Sequence, residues 1–282
     1  MTKTRVLAAL VMGPVAIGAV LLLPTGWLML LAALLFLVAQ WEWLKLVGIE
    51  DTLARTVLLT CNLGLMVALT WGSRSTHVTA LPLFQITIMV GVVWWLLALL
   101  WLRHYDFCAD NGSRSRIFKL IAGTAAVVPA WCALAVIHHQ PNGSRWLLLA
   151  LLLIWAADSG AYFAGRRFGS TWFNGRKLAP RISPNKTLAG VAGGVALALL
   201  VAIIGALLIG AKAAQLPAIA VVATLTVVFS IAGDLFESLL KRHANVKDSG
   251  TLIPGHGGAL DRLDSVLAAL PVFALGKVWL GF

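Results

Sequence analysis

Nine apolar runs, at about 6–23, 27–43, 53–71, 81–102, 117–137, 146–165, 188–210, 216–240 and 266–281, leave this chain little choice of fold. Most approach or exceed the ~18 apolar residues that read as a membrane span. Unpaired backbone groups are not tolerated in lipid, so each run is expected to be helical. The expectation is an all-α, polytopic integral membrane protein with about nine transmembrane helices. Only 12% of residues are charged, and no gap between runs holds a separate soluble domain. The chain therefore reads as one membrane domain, 1–282. The run at 27–43 is the least regular: its apolar part stops near Ala39 and Glu42 intrudes. It stands either alone or fused with the first run.

The net charge of +11 raises nucleic acid as a partner, but the basic residues fall in the gaps between apolar runs. There they meet anionic lipid headgroups or a phosphorylated ligand, and nucleic acid is excluded. With gaps alternating sides, 18 of the 22 Lys and Arg fall on one side; the exceptions are Arg74, Arg145, Lys212 and Lys277. The positive-inside rule makes that side cytoplasmic, with the N-terminus inside and the C-terminus outside. Fusing the first two runs would move only the N-terminus. The gaps 166–187 and 241–265 then face the cytosol. The start of the chain (Lys3, Arg5, then an apolar run) is similar to a signal peptide, but no small-x-small site precedes Pro24-Thr25-Gly26, so an uncleaved span is expected. Cys61, Cys108 and Cys132 have no paired spacing and read as apolar fillers. Trp27, Trp41, Trp43, Trp71, Trp94, Trp95 and Trp101 read as interface anchors and packing, and residues 1–145 read as mainly scaffold.

Of the 11 carboxylates, Glu42, Glu50, Asp51, Asp106 and Asp110 lie in or beside first-half gaps and are expected to be solvated. Asp158, Asp234 and Glu237 lie inside apolar runs, where a carboxylate marks a pathway or a site. Asp158 is roughly 12 Å before Arg166, and Asp234 roughly 10 Å before Lys241, at the helical rise. Two distant helices thus place a carboxylate at similar depth. Asp234, Glu237, Ser238 and Lys241 share one helix face, and Asp158, Ser159, Tyr162 and Arg166 share another. Polar contacts that hold helices together would explain such stripes. They would not explain why both stripes lead into basic loops.

The segment 238–265 holds four basic side chains, three carboxylates and four glycines. Hard oxygen ligands suit Mg²⁺ or Mn²⁺ rather than zinc. Asp234 and Asp261 are the expected metal ligands, with Asp264 and Asp248 as helpers. Asp261 is expected near the start of the ninth helix. Gly255, Gly257 and Gly258 let backbone approach a phosphate and offer amides. Lys241, Arg242, Lys247 and Arg262 neutralise phosphate charge. His256 is either a general base or a loop-ordering group. Thr187 is expected to cap the seventh helix, with Lys186 placed for an anion; an ordinary capped loop is the alternative. Gly190, Gly193 and Gly194 read as close helix packing. Gly169 to Lys177 is not a P-loop: Leu178 stands where Ser or Thr is needed, and a membrane helix precedes it.

The run Ser238-x2-Lys241-Arg242-x4-Lys247-Asp248-x-Gly250-x2-Ile253-Pro254-x-His256-Gly257-Gly258-x2-Asp261-Arg262-Leu263-Asp264 closely resembles the signature of the bacterial phosphatidate cytidylyltransferase (CDP-diacylglycerol synthase) family. Ala157-Asp158-Ser159-Gly160-Ala161-Tyr162, Ser183-Pro184-x-Lys186-Thr187 and Gly233-Asp234-Leu235-x-Glu237-Ser238 support it. The resemblance spans the chain, with its specificity in 154–265. It implies a multi-pass inner-membrane enzyme, often a homodimer, that joins CTP to phosphatidic acid and releases pyrophosphate. It implies a divalent metal on Asp234 and Asp261 and a monovalent cation such as K⁺. It places catalysis on Asp234, Asp261, Lys241, Arg242, Lys247, Asp248, His256, Arg262 and Asp264. Substrate binding falls to Asp158, Tyr162, Ser183, Lys186, Thr187, Ser238, Gly257 and Gly258, and residues 146–282 become the catalytic half. Ala259, Asn185 and Ala189 depart from the pattern; the last removes a polar group from the seventh helix.

Two other readings fit a membrane chain with buried carboxylates. A CDP-alcohol phosphotransferase would open on Asp-Gly-x2-Ala-Arg, which this chain lacks. An ion-coupled transporter would use buried aspartates, but no inverted repeat is visible and polar density gathers in the loops.

Overall fold

A computed structural model describes residues 2–75, 81–110, 112–252 and 257–282. Its helices are α1 (Thr2–Leu22), α2 (Thr25–Leu46), α3 (Thr52–Ser75), α4 (Leu81–Arg103), α5 (Ser113–His139), α6 (Gly143–Phe168), α7 (Leu188–Ile209), α8 (Leu216–His243) and α9 (Leu260–Leu280). Each apolar run falls on one of them. All but α1 are long and apolar enough to cross a membrane; in α1 the described apolar stretch is Val11–Leu22.

The first two runs are separate helices. The break falls at Pro24, whose extended ψ of 149° opens α2 and whose ring cannot continue α1. His138, near the end of α5, ties both sides of the break. Its Nε2 lies 3.0 Å from the Val20 carbonyl and its Nδ1 2.9 Å from the Thr25 hydroxyl. A carbonyl only accepts, so Nε2 is the donor there.

The helices are stitched by indole N–H groups, which need a partner when buried. Trp43 Nε1 donates to the Lys119 carbonyl, and Trp131 Nε1 donates to Met29, each at 2.9 Å. These bonds set α2 and α5 antiparallel. Trp95 Nε1 reaches the Leu267 carbonyl at 3.1 Å, joining α4 to α9. Phe236 of α8 is fully buried, with the rings of Trp43, Trp94, Trp95 and Trp101 at 5.8, 5.8, 5.9 and 5.1 Å. So these four tryptophans pack, while Trp27 and Trp71 stay exposed. Cys132 is the buried filler expected, but Cys61 is exposed on α3.

Small residues bring α6 and α7 together, as expected of Gly190, Gly193 and Gly194. A Cβ on Gly193 would lie 2.1 Å from that of Ala164, and one on Gly194 would lie 2.7 Å from the Ala157 carbonyl. Gly233 does the same for α8 and α9, where a Cβ would meet the Asp264 carbonyl at 2.3 Å.

Between α6 and α7 the chain forms a short antiparallel hairpin, β1 (Lys177–Ala179) with β2 (Ser183–Thr187), pairing Lys177 with Thr187 and Ala179 with Ser183. It is an addition to the helical expectation. Arg181 fixes it to the α4–α5 gap by an ion pair with Asp106 at 3.0 Å and by lying 4.2 Å over the Tyr105 ring. In that gap the Ser115 hydroxyl and the Gly112 amide hold the Asp110 carboxyl below the usual carboxylate range. His243, at the end of α8, meets the Tyr105 carbonyl at 2.7 Å. Gaps assigned to one side by their basic residues do meet at one end of the bundle.

Glu50, Asp51, Asp106 and Asp110 are exposed, as expected, but Glu42 is not: only 4% of it is accessible. The helix runs on past the apolar stretch. Glu42 therefore sits inside the buried stripe of Phe36, Ala39, Trp43 and Leu46, facing the start of α9.

Candidate active site

Four elements deliver charged side chains to that end of the bundle. The polar stripe of α8 forms as its spacing predicts: Asp234, Glu237, Ser238 and Lys241 share a face, and Asp234, Glu237 and Lys241 meet side chains of other elements. Lys186, from the end of β2, forms an ion pair with Asp234. Ser238 Oγ donates weakly to Asp234 Oδ1 at 3.4 Å. One turn further, Lys241 Nζ lies 3.0 Å from Glu237 Oε2 and 2.6 Å from Asp261 Oδ1.

Asp261 falls in the first turn of α9, where a carboxylate meets the positive end of the helix. Its Oδ2 accepts from Gly258 N at 2.8 Å and from Ser249 N and Oγ, both at 3.0 Å. Gly257 must be glycine here. Its φ is +83°, and a Cβ would lie 2.5 Å from Asp261 Oδ2. The Gly258 amide, offered by the sequence to a phosphate, is thus spent on a carboxylate.

The two ion pairs differ in access. The side chains of Lys186 and Asp234 are 26% and 33% exposed, those of Lys241 and Asp261 12% and 8%, and that of Glu237 2%. The first pair is an open edge and the second a buried floor. Asp158, exposed on α6, feels the charges of Asp234, Lys186 and Arg262. Asp264 feels those of Asp234 and Lys186, lies beside Glu237, and accepts from Ser265 N at 2.7 Å. Five carboxylates therefore face three cations, a formal excess of negative charge. Among the described residues, Glu237 Oε1 is buried without a hydrogen-bond donor.

Thr187 caps α7, accepting from Gly190 N at 3.0 Å. Ser183 opens β2, opposite Ala179. Arg242 Nε donates to the Ile182 carbonyl at 3.3 Å, which ties the hairpin to α8. Lys247 and Asp248 are exposed on the α8–α9 loop. Tyr162 is exposed and accepts from Arg166, one turn along its own helix, at 3.2 Å. His256, with Ile253, Pro254 and Gly255, lies outside the described residues.

The donor set fits a hard divalent cation in chemistry: it is carboxylate oxygen throughout. Among the described residues no three His, Cys, Asp or Glu converge as a ready-made cage. A hard divalent cation of the Mg²⁺ kind takes one or two carboxylates and completes its shell with water and phosphate. Asp234 Oδ1, with only the long Ser238 bond among the described residues, has lone pairs to give.

Sequence reasoning passed over Glu42 and Ser249. Glu42 Oε2 accepts from Leu260 N at 2.8 Å and lies 3.0 Å from Ser249 Oγ, whose one hydrogen it shares with Asp261 Oδ2. Its helical phase, three residues after Ala39 and four before Leu46, was the available signal.

Comparison with known proteins bears on this arrangement. The chain is 38% identical to the phosphatidate cytidylyltransferase of Pseudomonas aeruginosa, over 97% of its own length and 96% of that protein. It is 35% identical to the one of Haemophilus influenzae, over 97% and 98%. Against the one of Bacillus subtilis it is 47% identical over 133 residues, 46% of each chain. The model of the cytidylyltransferase family matches residues 3–278, and the chain belongs to that family.

Proposed function

We propose that this protein is a phosphatidate cytidylyltransferase: it transfers the cytidylyl group of CTP to phosphatidic acid, forming CDP-diacylglycerol and releasing pyrophosphate. The observation that carries this is the cluster itself. Paired lysines and carboxylates from β2, α6, α8 and α9 meet at one end of a membrane bundle, with one pair open and one buried. A nucleotide and a lipid headgroup need such a seam.

In the reaction an oxygen of the lipid phosphate attacks the α-phosphorus of CTP, and the bond to pyrophosphate breaks. The nucleophile is already an anion, so no base is required. The protein's part is positioning and charge neutralisation. Lys186, at the open edge, exchanges its pairing with Asp234 for substrate phosphate. Lys241 is held on Glu237 and Asp261 and keeps a positive charge beneath the reacting phosphates. Arg262 and Lys247 draw the triphosphate from the loop side. Asp158 and Asp264 keep the edge polar enough to admit a headgroup. Asp234 and Asp261 would hold Mg²⁺ or Mn²⁺, which when bound neutralises the leaving pyrophosphate. A K⁺ requirement and a homodimer rest on the resemblance alone. The basic-residue bias turns the cluster toward the cytosol, where CTP is.

Label placement tests the reaction. With phosphatidic acid and Mg²⁺, label in the α-phosphate of CTP should enter the lipid, and label in the γ-phosphate should appear as pyrophosphate. γ-Label in the lipid, or α-label released as water-soluble product, would rule the reading out.

A further inference from the structure

We infer that Glu42, on α2, is a positioning residue for the transfer: it fixes the loop and helix start that aim Asp261. The inference rests on the reading of Asp261 as a working residue of the transferase site.

Glu42 is a buried carboxylate from a helix otherwise remote from the cluster in sequence. Its Oε2 takes the Leu260 amide at 2.8 Å, one of the donors left unpaired where α9 begins. The same oxygen faces Ser249 Oγ at 3.0 Å, and that hydroxyl also lies 3.0 Å from Asp261 Oδ2. A hydroxyl carries one hydrogen, so Ser249 donates to one carboxylate at a time and couples the two.

The loop backbone is shaped to this carboxylate. A Cβ on Gly250 would lie 2.2 Å from Glu42 Oε1, and one on Gly258 would lie 2.2 Å from Oε2. Gly258 in turn donates to Asp261 at 2.8 Å. Every described backbone amide that holds Asp261 therefore belongs to a residue packed on or bonded to Glu42. A buried carboxylate with no such partners would be strongly unfavourable. Here the Leu260 amide, the Ser249 hydroxyl and the positive end of α9 supply those partners.

The test uses the full-length protein in detergent–lipid micelles, with Glu42→Ala, Glu42→Gln, Ser249→Ala, the Glu42→Gln/Ser249→Ala double variant and Asp261→Asn. Glu42→Ala should lower kcat about 30-fold, with the KM for CTP and for phosphatidic acid moving less than about threefold. Glu42→Gln, whose amide oxygen still accepts, should recover part of that loss. Amide exchange should quicken in peptides covering 249–263 and stay unchanged in α4 and α5. The double variant should be little worse than the poorer single one, because both act through Asp261. Wild-type kcat in Glu42→Ala and Glu42→Gln, quickened exchange throughout the bundle, or losses that multiply would each overturn the inference. An active Asp261→Asn would instead remove the reading beneath it; an inactive Asp261→Asn beside fully active Glu42 variants would remove this inference alone.

Discussion

Asp261 Oδ2 accepts from two backbone amides and a hydroxyl while Oδ1 faces the Lys241 ammonium, so its orientation is set from three directions. Such a group tolerates little movement of its surroundings. Gly258→Ala would push a methyl to 2.2 Å from Glu42 Oε2 and 2.3 Å from Ser249 Oγ. We expect it to lower kcat about tenfold or more without unfolding the bundle, measured by turnover beside a melting curve. Lys186→Met removes the cation from Asp234 at the more open edge. It should raise the KM for substrate and lower kcat, and it should destabilise the fold less than Lys241→Met. The latter leaves the buried Glu237 without its ion-pair partner, a loss of about 3–5 kcal/mol for a broken buried pair. Thermal melting of the two variants side by side checks that order.

At the scale of elements, close approach of α6 to α7 sets how Asp158 and Lys186 converge. Gly193→Leu must displace Ala164, whose Cβ would sit 2.1 Å from the new one. Overpacking of this kind costs about 1–3 kcal/mol, so the detergent-solubilised variant should melt several degrees lower. Phe236→Ala, which empties the space among four tryptophans, should cost more, about 3–5 kcal/mol. These helices were legible in the sequence because lipid forces every backbone group to pair within its own segment. The α8 stripe was legible too, since carboxylates and a lysine at helical spacing stand out in an apolar run. The hairpin was not. Its strands of three and five residues, with Pro184 inside one, carry no alternation to read. Glu42 was missed because the unbroken apolar part of its run stops near Ala39, and Gln40, Glu42 and Lys45 then alternate with apolar residues while the helix continues to Leu46. A carboxylate at the ragged end of an apolar run reads as solvated until something is known to face it. The partners of the Gly258 amide and of Arg242 were also hidden, because both are contacts between elements far apart in sequence.

For the whole molecule, the proposed site gathers at one end of the bundle. Its charged cluster comes from β2, α6, α8 and α9, and α2, α4 and α5 pack against the α8–α9 pair that carries the Lys241–Asp261 ion pair. The basic-residue bias predicts that this end faces the cytosol, with the other end of α9 outside. A reporter active only outside the cytosol should work when fused after Phe282, and a cytosolic reporter should work when inserted at the exposed turn near Ser170. The reverse pattern would invert the topology. The central claim is that the cluster joining β2, α6, α8 and α9 is where CTP meets the lipid phosphate. It is tested most directly by CDP-diacylglycerol formation from CTP and phosphatidic acid in proteoliposomes, comparing the wild-type protein with Asp234→Asn and Asp261→Asn. We predict robust product from the wild type and about 100-fold less from each variant at an unchanged melting temperature. Near-wild-type product from either variant would contradict the account.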